Sequence, residues 1–178
     1  NLSNAGDTVT ITGQQEIFIN GGTGDDTVIY ETLDAFIDSP KNDPANMEDN
    51  LTDQGGNDRI IVKEAISVDD DLNLIRAGGF ERLVQDHTGA AKFRLQNANA
   101  DIVEIDVSNS TNNSSIDASN RTVDISIETG SGNDTLTGGS GDDTLNGGGG
   151  EDTFVFADTA ANNGTDVFTF SIGDQNPF

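Results

Sequence analysis

The chain has no cysteine and no tryptophan, one tyrosine, one histidine, and only 8 Lys and Arg among its 178 residues. Each shortage excludes something. Without cysteine there are no disulfides, no thiolate zinc sites and no thiol nucleophiles. With so few basic residues there is no positive stripe to meet phosphates, so nucleic acid is not an expected partner. An anionic bilayer surface would repel the chain, and no apolar run is long enough to span one, so no membrane insertion is expected. No signal peptide is visible, and the start at Asn1 reads as a module cut from a longer chain, with adjacent modules beside it.

Catalytic chemistry is thin as well. His87 stands next to Asp86 in a turn-like stretch, and HExxH, GxSxG and phosphate-loop motifs are missing. Carboxylate pairs of the kind that cleave glycosides are everywhere and so discriminate nothing, while aromatic sugar platforms are scarce. The chain is read as non-catalytic, with no catalytic residue assigned.

Acid is what the sequence has in excess. Asp and Glu number 32, for a net charge of -24, and only 33% of residues are hydrophobic. Self-repulsion of this size opposes compaction unless the chain is disordered or binds cations. The acid is mainly Asp, interleaved with Gly and Asn and with regularly spaced Val, Ile and Leu, which favours cations.

Internal repeats give the acid a pattern. Three consecutive nonapeptides read TGSGNDTLT (129–137), GGSGDDTLN (138–146) and GGGGEDTFV (147–155). GGTGDDTVI (21–29) has the same form, and DQGGNDRII (53–61) is a weaker copy. The fourth position is Gly, the sixth Asp and the eighth apolar. Early glycines permit a tight turn and leave carbonyls open to a metal. The sixth-position carboxylates supply hard oxygen, suited to Ca2+ rather than to zinc. The residues assigned to metal are Gly22, Gly24 and Asp26; Gly56 and Asp58; Gly130, Gly132 and Asp134; Gly139, Gly141 and Asp143; and Gly148, Gly150 and Asp152. Val28, Ile60, Leu136, Leu145 and Phe154 are expected on short strands facing inward.

These nonapeptides resemble the repeats-in-toxin (RTX) family of haemolysin-type secreted proteins. The resemblance implies an all-β fold, a calcium-bound parallel β-roll or β-solenoid, in which two nonapeptides make one coil and same-side turns stack eighteen residues apart. Several Ca2+ ions would sit between stacked turns. Asp134 is then expected against Asp152, and Asp143 between the region of Ile125 and the stretch Ala161 to Asp166, where Asn163, Gly164, Asp166 and Phe168 echo a degenerate repeat. The resemblance also implies type I secretion from a Gram-negative bacterium, an extracellular or cell-surface location, and folding gated by calcium.

The remaining sequence is read as a split of this roll. Residues 1–30 form an N-terminal piece with strands around Val9 and Ile11, Ile17 and Ile19, and Val28 and Tyr30. Residues 31–128 form a β-rich insert of about one hundred residues, and 129–178 the C-terminal roll and cap. Within the insert, 31–53 is an acidic surface loop, whose Asp34, Asp38, Asp43, Glu48, Asp49 and Asp53 are candidate ligand-binding residues. Residues 69–95 carry short strands that resemble hairpins found near RTX repeats. In 101–128, Ile102, Ile105 and Val107 are expected in the core, and Val123, Ile125 and Ile127 alternate as a strand.

The resulting expectation is a monomeric, non-catalytic, calcium-dependent binding module of a large secreted RTX adhesin, active in cell adhesion and biofilm. It would recognise a peptide or glycan on a host or neighbouring cell surface. The alternative is a calcium-dependent folding and secretion module of an RTX exoenzyme or toxin.

Overall fold

The structure is a computed structural model that describes residues 3, 5–13, 17–32, 50–72, 77–95, 101–155 and 164–169. Sixteen short strands follow one another: β1 (Thr8–Ile11), β2 (Phe18–Asn20), β3 (Thr27–Tyr30), β4 (Asn50–Thr52), β5 (Arg59–Val62), β6 (Ser67–Leu72), β7 (Ala77–Gly78), β8 (Arg82–Gln85), β9 (Lys92–Leu95), β10 (Glu104–Asp106), β11 (Ser115–Asp117), β12 (Ser126–Glu128), β13 (Thr135–Thr137), β14 (Thr144–Asn146), β15 (Thr153–Val155) and β16 (Val167–Thr169). No helix occurs among the described residues.

The strands wind into a parallel β-solenoid. One sheet runs β1-β3-β5-β8-β10-β12-β14-β16; a second runs β15-β13-β11-β9-β6; a third, in the N-terminal coils, runs β2-β4-β7. Every recorded pairing is parallel, and Thr8, Thr27, Arg59, Arg82, Glu104, Ser126, Thr144 and Val167 stand in one register row. Parallel strands joined by short turns can neighbour one another only if each returns after a full coil.

Alternation does the rest. Apolar residues within the strands point inward: Val28, Ile60, Leu83, Ile105, Ile127 and Leu145 from the eight-stranded sheet, and Phe93, Ile116 and Leu136 from the five-stranded one, all at most 3% exposed. Each such burial stabilises by about 1.5–3 kcal/mol. The core is a narrow seam rather than a thick globule, as the low apolar content requires. At its C-terminal end Phe154 and Phe168 meet edge to face with centroids 5.4 Å apart.

The middle of the chain is where the sequence reading needs adjustment. Strands β4 to β12 are members of the same three sheets as the repeats, and the eight-stranded sheet crosses residue 128 without a break. Coil length varies instead: matched positions step by 19, 32 and 23 residues in the first coils, by 18 from Ile125 to Asp143, and by 23 after that. The likeness of 69–95 to hairpins does not survive either. β8 and β9 are joined by a short turn but lie in different sheets. Each carries inward apolar residues that stack on the coils before and after it, so neither pairs with the other. Ile102, Ile105 and Val107 are fully buried, as expected from their spacing.

Candidate metal centre

The glycine-aspartate turns sit at the N-terminal ends of the strands, and the sixth-position aspartates stand one residue before them. All five are buried: Asp26 and Asp58 at 0%, Asp134 and Asp143 at 1%, Asp152 at 4% exposure. They form rows across coils. Asp7 N–H donates to Asp26 Oδ1 (2.7 Å), Asp26 N–H to Asp58 Oδ1 (2.6 Å), and Asp58 N–H to Glu81 Oε2 (2.8 Å). On the second sheet's side Ser114 N–H donates to Asp134 Oδ1 (2.7 Å) and Asp134 N–H to Asp152 Oδ1 (2.9 Å). Further along the first side, Ile125 N–H reaches Asp143 Oδ1 and Asp143 N–H reaches Asp166 Oδ1, each at 3.0 Å.

A second ladder runs the opposite way on the exposed rim. There the later coil's N–H donates to the earlier coil's fifth-position side chain: Asn57 to Asp25, Asn133 to Asn113, Glu151 to Asn133, Asp142 to Asp124 and Thr165 to Asp142. Between the two ladders lie the glycines. A Cβ on Gly148 would stand 2.0 Å from Gly130 O, and one on Gly150 would stand 2.1 Å from Gly132 O. The carbonyls of one turn thus point into the next, where only glycine leaves room. The first-position glycine serves the carboxylate: a Cβ on Gly147 would meet Asp152 Oδ2 at 2.1 Å.

This arrangement fits a hard cation. Each aspartate gives Oδ1 to a backbone N–H, and Asp26 and Asp143 give Oδ2 as well, to Gly22 N–H (3.2 Å) and Gly139 N–H (2.6 Å). The second oxygen of Asp58 and of Asp134 is buried without a hydrogen bond. Ion pairs of Lys63 with Asp86, Arg82 with Glu104 and Asp106, and Arg94 with Asp117 involve none of the repeat aspartates. Burial pushes the Asp58 carboxyl up to about 6, with Asp53 and Glu81 adding to the rise and the Asp26 N–H opposing it. Asp134 and Asp143 are raised mainly by burial as well. Asp143 is partly offset by the buried Arg121 guanidinium, but buried carboxylates lacking such a counter-charge are costly, and carbonyl and carboxylate oxygens with no nitrogen or sulfur donor are the ligand set of calcium. The expected stack of Asp134 under Asp152 is present, and Asp143 lies between Ile125 and Asp166. Asp34, Asp38, Asp43, Glu48 and Asp49 lie outside the described residues. Asp53 is described, and it turns towards Asp26 and Asp58.

Where the glycine-aspartate motif lapses, other buried polar groups close the turns. Gln85, 1% exposed, accepts from Ile66 N–H (2.7 Å) and donates to Gly89 O (2.6 Å) and His87 O (3.2 Å). Ser114 Oγ accepts from Ala91 N–H (3.1 Å) and contacts Ser110 Oγ. Arg121, also 1% exposed, donates to Ile102 O at 2.6 Å. Sequence reasoning missed these closers, and it missed Asp7. For Asp7 a signal existed: Gly6-Asp7-Thr8-Val9 repeats the end of the Asp26 motif nineteen residues earlier.

The fold and these turns define a calcium-binding β-solenoid. A family model of the RTX calcium-binding nonapeptide repeat matches in four copies, over residues 18–30 and 126–155. The chain therefore carries RTX-type repeats, which bind several calcium ions. No curated protein and no solved structure matches it significantly.

Proposed function

We propose that the chain is a non-catalytic, calcium-dependent extracellular binding module of a large secreted RTX adhesin from a Gram-negative bacterium, recognising a peptide or glycan on another surface. The observation that carries this reading is the 32-residue step between Asp26 and Asp58, against 18 between Asp134 and Asp152. Stacking alone needs no such excess. The extra residues fall in 31–49, whose acidic side chains could meet ligand hydroxyls or amines. At the turn ends of the coils that flank this step lies an open polar groove of about 260 Å³, lined by Asp25, Thr27, Asn57, Arg59 and Arg82. It offers guanidinium, hydroxyl and amide groups to a polar ligand.

Calcium would act as the gate. Filling the turns offsets the repulsion of buried aspartates, so binding free energy becomes folding free energy. At the sub-micromolar calcium of a cytosol the roll lacks this stabilisation, and at the millimolar levels outside it gains it. The test is binding of the purified chain to peptide and glycan arrays in millimolar calcium and in chelator. Calcium-dependent hits that vanish when Asp34 to Asp49 are changed to Asn and Ser support recognition. A blank array from chain shown by circular dichroism to be folded rejects it in favour of a folding and secretion module.

A further inference from the structure

We propose that Asp53 adds a third carboxylate to the calcium site between the stacked turns of Asp26 and Asp58, setting that site apart from those of the strong repeats. One ligand atom from each of the three lies within 4.8 Å of those of the others. Asp26 and Asp58 are sixth-position residues of stacked turns. Asp53 is different, because it occupies the first position of its nonapeptide, where the strong copies carry Gly21, Thr129, Gly138 and Gly147. A carboxylate there adds a third charged side chain to a site otherwise built from two.

The geometry aims this side chain inward. Asp53 Oδ2 accepts from Gly55 N–H (2.6 Å), which fixes the carboxylate, while Oδ1 is buried with no hydrogen bond. A Cβ placed on Gly21 would lie 1.9 Å from Asp53 Oδ1 and 2.6 Å from Asp26 Oδ2, so both oxygens crowd the space that this glycine vacates. Asp58 Oδ2, on a fully buried residue, is also without a hydrogen bond. The turn is held on both sides: Gly21 N–H donates to Thr52 O (2.8 Å), Gln54 N–H to Gly22 O (3.2 Å), and Asp53 N–H to Gly78 O (3.1 Å). Glu81 stands on the next coil, its Oε2 accepting from Asp58 N–H (2.8 Å).

Two buried carboxylates and a half-buried third, this close together, repel strongly unless a cation lies among them. Oxygen-only donors and high charge select calcium, and a trivalent lanthanide still more, since calcium affinity rises with the number of charged ligands. The consequence is local. Asp26 stands before residues 31–49 in sequence and Asp53 after them, so the ion ties together the two ends of the excursion. This inference rests on calcium chemistry and stands whether or not the module is an adhesin.

The test is isothermal titration of the full chain with calcium alone, comparing wild type with Asp53→Asn and Asp53→Gly, and with Asp134→Asn as reference. The substitution to Gly restores the first-position residue of the strong repeats and guards against misfolding. Wild type should show one site at least tenfold tighter than the rest. Both Asp53 variants should lose that tight phase and keep the weaker ones, while Asp134→Asn keeps the tight phase and loses weaker binding. Terbium should fill the same site first, displaced by calcium in wild type only at large excess. An unchanged tight phase in both Asp53 variants, or no tight phase in wild type, overturns the proposal.

Discussion

Replacing Asp134 with Asn separates the two jobs of a repeat aspartate. The amide keeps an oxygen for Ser114 N–H, now 2.7 Å from Asp134 Oδ1, and removes the charge beside the buried Oδ2 that lacks a hydrogen bond. One ion bound at a dissociation constant of roughly 0.1–1 mM stabilises the fold, in about 10 mM calcium, by about 1.4–2.7 kcal/mol. Loss of the site should cost that amount in calcium. In chelator the same change removes a buried charge and should leave stability equal or slightly raised. Asp142→Asn is the control. Asp142 is exposed, its Oδ1 accepts from Thr165 N–H at 2.7 Å, and the amide keeps that acceptor. Its effect should stay below about 0.5 kcal/mol with or without calcium. Urea unfolding followed by circular dichroism, in both conditions, gives the four numbers. An equal loss for Asp134→Asn in calcium and in chelator would show that the carboxylate is only a hydrogen-bond anchor. Equal losses at Asp134 and Asp142 would refute the turn assignment.

Three further outcomes are expected. Gly150→Ala should destabilise by more than about 3 kcal/mol, because φ is +125° and the new Cβ would lie 2.1 Å from Gly132 O, whereas Gly149→Ala, with nothing within 4 Å, should be nearly neutral; thermal melts in calcium compare them. Gln85→Leu should cost about 2–4 kcal/mol, equally with and without calcium, because it strips partners from the buried Ile66 N–H and from the Gly89 and His87 carbonyls. In chelator, stability should rise as pH falls from 7 towards 5. Asp58, lifted by burial from 3.8 to about 6, binds its proton more tightly folded than unfolded, so its contribution is complete below 3.8 and lost as pH rises through about 6. Asp134 and Asp143 act in the same direction, while Asp7, Asp106 and Asp117, whose values are lowered, oppose it only at lower pH. In saturating calcium the trend should reverse, since protons compete with the ion; a parallel pH profile in both conditions would contradict the site chemistry.

The repeat turns were legible because each position has one physical solution. Only glycine tolerates a carbonyl about 2 Å from its Cβ direction, and only a short carboxylate reaches both the neighbouring N–H and the turn interior. Nine-residue spacing then fixes which turns stack, so Asp134 and Asp152 could be paired from sequence. The middle coils obey the same winding but not the same spacing. Their strands were visible at Ile127 and at Leu83, although Val123 and Ile125 lie in the turn before β12 (Ser126–Glu128) and not on a strand; membership of one continuous sheet was not visible, because coils of 22 or 23 residues carry no common period. Their corners were opaque for a second reason. Gln85, Ser114 and Arg121 do related work with an amide, a hydroxyl and a guanidinium, and no single residue type marks the place. Asp53 looked like one more acid in an acidic loop, since the space beneath Gly21 that receives it belongs to a different coil.

The opposed ladders along the turns have a consequence for how the protein responds to its ion. Each inner rung needs a carboxylate from the coil that follows, and each outer rung needs an acceptor from the coil that precedes. A single turn can therefore complete neither, and a coil at either end is half-bonded until a neighbour arrives. Interface terms of this kind make a linear array cooperative. Beyond the tighter site at Asp53, the nonapeptide turns should then answer a rising calcium concentration as a threshold device, closing together over a narrow range.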